Sequence, residues 1–226
     1  MKRRGAWWAG LGLCVWVGAG CSSGKTPGPT QITDPGYILY INLTDDVLQA
    51  KDNTQLASPA LTPGAGAPIR RAKAGVRKMS FEKDGKVLHA EDVNIESAKN
   101  HTLYTYYDAS GKPAYKMMEG DPRKGPKEQV SFRVVNFTKG KATVSTGVQS
   151  LAKDLGSMQA SEIVDLNKGD TKLTVTVDGK KVGEMRELTG PAEAYMIAIS
   201  YDRQGKPRAM MVRNSARTVP MTATPQ

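Results

Sequence analysis

Leu173-Thr-Val-Thr-Val-Asp-Gly-Lys180 is the stretch from which the fold is read. Leu173, Val175 and Val177 alternate with threonines at period two, the signature of a strand with one face buried. Asp178-Gly179 follows, a dipeptide suited to a two-residue hairpin turn because both central positions need positive φ. Ninety-four residues earlier, Met79-Ser-Phe-Glu-Lys-Asp-Gly-Lys86 repeats the device. The same register holds outward from it in both directions. Asn42-Leu43-Thr44 falls on Asn136-Phe137-Thr138, and Tyr107-Asp108 with Gly111-Lys112-Pro113 falls on Tyr201-Asp202 with Gly205-Lys206-Pro207. So many matches at one fixed offset describe a unit written twice.

The remaining local signals are also β. Tyr37 to Leu43 and Val130 to Phe137 open the copies as aromatic and β-branched runs. His101 to Tyr107 and Tyr195 to Tyr201 each end in Asp-x-x-Gly, the spacing of a type I turn. A sustained 3.6-residue period is absent, and only Val148 to Met158 offers one short helix. The sequence therefore predicts an all-β chain of two tandem antiparallel β-sandwich domains, Ig-like or jelly-roll-like, following a signal peptide. The expected boundaries are a lipoprotein signal peptide over 1–20, a tether over 21–36, a first sandwich over 37–118 and a linker over 119–128. A second sandwich over 129–214 and a C-terminal tail over 215–226 complete the division.

The N-terminal assignment rests on three parts in order: Lys2, Arg3 and Arg4, the uncharged stretch from Gly5 to Gly20, and the small residues before Cys21. Gly18-Ala-Gly-Cys21-Ser22 resembles the lipobox of bacterial lipoproteins, with glycine at position 18 where an aliphatic residue is usual. That resemblance implies lipidation of Cys21, and Ser22 after it implies sorting to the outer membrane of a two-membrane cell. An ordinary signal cut after Gly20, or an uncleaved anchor, would use the same residues. The only other cysteine is Cys14, inside the apolar run. An exported mature chain would then have no disulfide and no thiol for zinc or nucleophilic chemistry. The expected location is the periplasm, held to a membrane by lipid.

The order of strands and turns in the second copy, from Val130 through Ala142-Thr-Val-Ser-Thr-Gly147, Leu151 to Leu155 and Ser161 to Leu166 to the Asp-Gly-Lys turn, resembles a small tandem β-sandwich domain of exported bacterial proteins. It also resembles AlgF-type proteins, the accessory proteins of alginate O-acetylation. The resemblance covers roughly Tyr37 to Asn214. It implies a non-catalytic accessory or scaffold that works with acyltransferase subunits on an anionic polysaccharide. The alternative is a structural or adhesion-type envelope lipoprotein that binds a protein or the cell wall.

The search for chemistry is short. His89 and His101 are the only histidines, and the 94-residue offset gives them Gly183 and Tyr195 as counterparts. No Gly-x-Ser-x-Gly elbow is present, and Gly64-Ala-Gly-Ala67 lacks the ending of a phosphate loop. Asp45/Asp46 and Glu91/Asp92 read as turn and solvent residues. The duplicated asparagines read as strand-end side chains bonded to backbone, the duplicated aspartates as turn formers. No catalytic residue, no metal site and no cofactor is expected. The net charge of +10 has its densest cluster in Arg70, Arg71, Lys73, Arg77 and Lys78, the candidate polyanion-binding residues. Nucleic acid is not an expected partner of an exported chain. For the anchor, metabolic labelling with a fatty-acid analogue should tag the wild type and spare Cys21→Ala; equal labelling of both would contradict lipidation.

Overall fold

A computed structural model describes residues 34–67, 69–120, 129–167, 172–186 and 194–213. The signal segment, Cys21, the linker from 121 and the tail lie outside the described residues. The structure is all-β, and no helix occurs among the described residues. Val148 to Met158, the one stretch with a helical alternative, holds strand Ser150–Leu155 instead.

Among the described residues each copy contributes nine strands in the same order. In the first they are β1 (Gly36–Asn42), β2 (Leu48–Asp52), β3 (Gln55–Leu61), β4 (Ala65–Gly66), β5 (Arg70–Ala72), β6 (Gly75–Lys83), β7 (Lys86–Ile95), β8 (Asn100–Tyr107) and β9 (Pro113–Glu119). In the second they are β10 (Gln129–Asn136), β11 (Ala142–Ser145), β12 (Ser150–Leu155), β13 (Gln159–Ala160), β14 (Val164–Asn167), β15 (Lys172–Val177), β16 (Lys180–Arg186), β17 (Ala194–Tyr201) and β18 (Pro207–Arg213). The two Asp-Gly hairpins form as read. Asp84 and Gly85 have φ of 49° and 75°, Asp178 and Gly179 of 48° and 74°, the doubly left-handed pair of a type I′ turn.

One sheet of each sandwich is antiparallel, in the order β3-β2-β6-β7 in the first copy and β12-β11-β15-β16 in the second. The other sheet departs from the antiparallel expectation. β1 runs parallel to β8, Ile38 opposite His101, and β10 runs parallel to β17, Phe132 opposite Tyr195. Parallel neighbours need a long crossover. Here the crossover is the whole facing sheet, which the chain builds before it returns.

The two sandwiches are not separate beads. One core lies inside each: Ile38, Tyr40, Phe81 and Leu103 help to fill the first, Phe132, Val175, Tyr195 and Ile197 the second. A third core lies between them, where Leu39, Ile41, Leu43, Tyr104 and Tyr106 of the first copy meet Val135, Phe137, Met196, Ala198 and Val212 of the second. The molecule is thus four layers of strands around three cores. Tyr106 stacks on Phe137 with ring centroids 4.3 Å apart, and Tyr104 tilts against the same ring at 5.1 Å. The methionines of β9 and β18 fill two cores at once: Met117 and Met211 face the sandwich interiors, Met118 and Met210 the shared core.

The copies meet about a pseudo-two-fold axis. Tyr107 pairs with Tyr201, its own counterpart, and joins the two central sheets into one of ten strands. The turn glycines pack reciprocally: a Cβ on Gly111 would land on the Arg203 carbonyl oxygen, and one on Gly205 would lie 2.5 Å from the Ala109 carbonyl oxygen. Both glycines have positive φ. Gly111→Ala should therefore lower the unfolding midpoint far more than Gly85→Ala, where φ is as positive but a Cβ meets nothing within 4 Å. The second change should cost only the left-handed penalty of about 1–2 kcal/mol. Equal losses in chemical denaturation would contradict the close approach at the seam.

Candidate functional site

Strand pairing sorts the basic cluster into an inward and an outward set. β5 runs antiparallel to β1, with Ile38 opposite Arg70 and Tyr37 opposite Arg71. Directly opposed residues share a face, so Arg70 joins Ile38 and Ala72 on the face toward the first core, and Arg71 takes the other. On β6, Arg77 shares its face with the buried Met79 and Phe81, and Lys78 alternates away. Arg71 and Lys78 thus project from opposite outer faces of the sandwich. Lys73 is exposed just beyond β5. The five cations close in sequence are not one surface.

Of the inward set Arg70 lines a cleft of about 90 Å³, together with Ile38, Tyr40, Asp52, Gln55, Leu56, Ala57, Arg71 and Ala72, while Arg77 is joined to it only through Asp52. Its walls are two strands with unpaired outer edges, β3 and β5. Asn53, left-handed at φ 54°, docks the β2–β3 turn on β6: its N–H donates to the Lys78 carbonyl at 2.7 Å, and its Oδ1 accepts the Lys78 N–H at 3.0 Å. That docking brings Asp52 to Arg77, whose Nε donates to Asp52 Oδ1 at 2.6 Å. Tyr40 forms the floor, its hydroxyl donating to Met79 Sδ at 3.4 Å. Burial pushes its phenol well above the ordinary range; Asp52 adds to that shift and Arg70 and Arg77 oppose it.

Arg70, Arg71, Lys73 and Lys78 have no carboxylate in ion-pair reach among the described residues, and neither do Lys112, Lys116, Lys139, Lys141, Lys153 and Lys206, whereas other cations are paired. Lys51 holds Glu82, Arg77 holds Asp52, and Lys172 with Lys181 holds Glu184. Lys172 is the counterpart of Lys78, and the second copy replaces Arg70, Arg71 and Lys73 by Val164, Asp165 and Asn167. The free cationic cluster belongs to the first copy alone.

The two histidines are placed differently. His101 is buried, and its Nε2 accepts the Glu96 backbone N–H at 3.1 Å. His89 lies flat on Tyr115 with ring centroids 3.8 Å apart, and its Nε2 stands 3.5 Å from Glu91. At the matching place in the second copy Gly183 packs against Ala209, so one aromatic pair replaces one small pair. Among the described residues no group of three histidine, cysteine, aspartate or glutamate side chains is placed to hold a metal.

The duplicated polar residues are structural. Asn42 is fully buried; its Nδ2 donates to the carbonyls of Asp46 and Leu61, and its Oδ1 accepts the N–H and hydroxyl of Thr44. Asn136 does the same with Gly140, Leu155 and Thr138. Asp108 and Asp202 tie their own turns, each Oδ1 accepting two backbone N–H groups from the following residues.

Asp45 and Asp46 are more than turn residues, and this the sequence did not disclose. Asp46 receives Lys83 Nζ at 2.8 Å, the Tyr107 hydroxyl at 3.1 Å and, from the other copy, Arg203 Nη2 at 2.8 Å to both oxygens. Arg208 bridges Asp45 and the Leu43 carbonyl, each at 2.5 Å. The counterparts of Asp46 and Arg203 are Gly140 and Ala109, so the clasp exists on one side of the axis only.

No family model matches the chain, and no curated protein matches it. Among solved structures, the C-terminal domain of AlgF from P. aeruginosa aligns at 23% identity and a TM-score of 0.33, over 38% of this chain and 99% of that one.

The Lys83 ammonium, with Arg203 and Tyr107, holds the Asp46 carboxyl below its ordinary range against the opposing effect of burial. A carboxylate lowered on folding stabilises above its unfolded pKa of about 3.9, and that contribution is lost as pH falls through the folded value. Asp46→Asn should therefore lower the urea midpoint at pH 7 and leave little difference at pH 2.5. A gap of the same size at both values would contradict a charge-based clasp.

Proposed function

We propose that this chain is a non-catalytic accessory protein of the bacterial envelope, anchored by lipid on Cys21 and facing the periplasm. In this reading it holds an anionic polysaccharide for acyltransferase subunits that O-acetylate it. The observation that carries the reading is Arg70 beside the first copy's cleft, with Arg71 and Lys73 close to it on the chain, none of them in ion-pair reach of a carboxylate among the described residues. Uncompensated positive charge beside an open cleft attracts a polyanion. The strand and turn order that resembles AlgF-type proteins supplies the acetylation context.

Binding of an acidic polysaccharide to the full chain should weaken steeply between 50 and 500 mM salt, because exposed charges are screened over about 8 Å at physiological ionic strength. Reversal of Arg70, Arg71, Lys73 and Lys78 to glutamate should abolish binding while the thermal midpoint stays near wild type, since exposed substitutions typically change stability by no more than about 0.5 kcal/mol each. Deletion in the source cell should lower polymer acetylation, and the purified chain should transfer no acetyl group by itself. Acetyl transfer that disappears in His89→Ala would overturn the non-catalytic reading. Salt-independent binding would overturn the polyanion reading.

A further inference from the structure

The seam between the copies holds one residue that its own backbone does not favour. Met158 lies in the turn between β12 and β13 at φ 57°, left-handed backbone that residues with a side chain adopt at a cost. The first copy has Gly64 at the same place, with φ 70°. Both turns close alike: the Met158 N–H donates to the Asn136 carbonyl at 2.7 Å, and the Gly64 N–H to the Asn42 carbonyl at 2.8 Å. The turn does not call for a methionine, so the side chain has to account for it. That side chain reaches the first copy, where the Tyr106 hydroxyl donates to Met158 Sδ at 3.6 Å. Tyr106 is buried, and the sulfur is its hydroxyl's one hydrogen-bond partner among the described residues. Burial pushes its phenol above the ordinary range, so the hydroxyl keeps its proton and stays a donor. Met158 is nonetheless 40% exposed, whereas the other described methionines are buried or half-buried. The counterpart of Tyr106 is Ser200, so this contact exists on one side of the axis.

We propose that Met158 is a site of reversible oxidation by peroxides, and that its sulfoxide latches the second copy to Tyr106 of the first. A sulfur lone pair attacks one peroxide oxygen and forms the S–O bond. The O–O bond breaks, and with hydrogen peroxide the other oxygen leaves as water. The sulfur gives up two electrons, the peroxide takes them, and the protein neither gains nor loses a proton. The contact then changes in kind. A thioether is a weak acceptor, whereas a sulfoxide is polar and its oxygen accepts strongly. Tyr106 is held by its stack on Phe137, so its hydroxyl already faces the sulfur when the oxygen arrives. Oxidation of a core methionine disrupts its surroundings, because the new dipole is buried without a partner. At Met158 the dipole finds a donor at the seam and water beside it. This site is independent of whatever the first copy's cleft binds.

A limiting dose of hydrogen peroxide on the full chain, followed by peptide mass mapping, tests the site. Met158 should gain one oxygen about tenfold faster than Met117, Met118, Met210 or Met211, and methionine sulfoxide reductases should remove it. Thermal unfolding tests the latch. Oxidation should raise the wild-type midpoint by about 2–4 °C, the shift expected of one added hydrogen bond in a domain of this size. It should leave the midpoint of Met158→Leu unchanged, which assigns the rise to this methionine. It should not raise that of Tyr106→Phe, which keeps the ring but lacks the donor. Faster oxidation of another described methionine would overturn the site. A lower wild-type midpoint once Met158 is oxidised, or an equal rise in Tyr106→Phe, would overturn the latch.

Discussion

Burial on both faces of β1, β8, β10 and β17 is the constraint from which the rest of the molecule follows. Leu39, Ile41, Leu43, Tyr104 and Tyr106 point out of the first sandwich, and without the second copy they would face water. Each large side chain withdrawn from solvent contributes on the order of 1.5–3 kcal/mol, so the seam stabilises both copies together. The two-fold arrangement then brings each turn glycine against the other copy's backbone, where a methyl group has no room. With the backs of the sandwiches spent on each other, binding falls to their open edges and outer faces.

A duplicated fold shows its specialisations where the copies differ. The buried asparagines, the turn aspartates and the I′ hairpins recur because each solves a backbone problem that both copies share. Features that do not recur include the clasp of Asp46 with Arg203, the His89–Tyr115 stack and the unpaired arginines of β5 at the first cleft. The first strengthens the seam and the second fills one edge. The third meets no internal need, since Arg70 and Arg71 hold no carboxylate and Val164 and Asp165 occupy the same places without loss of the strand. Charge kept exposed without an internal partner is where a ligand has to be sought.

Much of this was legible in the residues. Leu173 to Val177 declared its period, Asp84-Gly85 and Asp178-Gly179 declared their turns, and the 94-residue offset declared the duplication. The shared core was written in the same letters but needs a different reading. Tyr37 to Ile41 and Tyr195 to Ile199 are unbroken apolar runs, and such runs mark strands covered on both sides, not strands with a wet face. The parallel pairing of β1 with β8 was not legible, because local pattern fixes a strand and not its neighbour. The basic cluster was found as a list, but only the alternation of β5 and β6 shows that Arg70 and Arg77 turn inward. Asp46 could not be matched to Arg203 from sequence, because the clasp joins residues 157 apart and departs from the repeat that guided the reading.

The most direct test of the central claim is a map of backbone amide shifts of the full chain as an acidic oligosaccharide is added. A ligand seated between β3 and β5 should move the amides of Asp52 to Ala57 and Arg70 to Ala72 most, and leave Thr146 to Gln149 and Val164 to Asn167 in place. Shifts of equal size at the corresponding positions of both copies, or shifts confined to Lys78 and the outer face of β6, would contradict it.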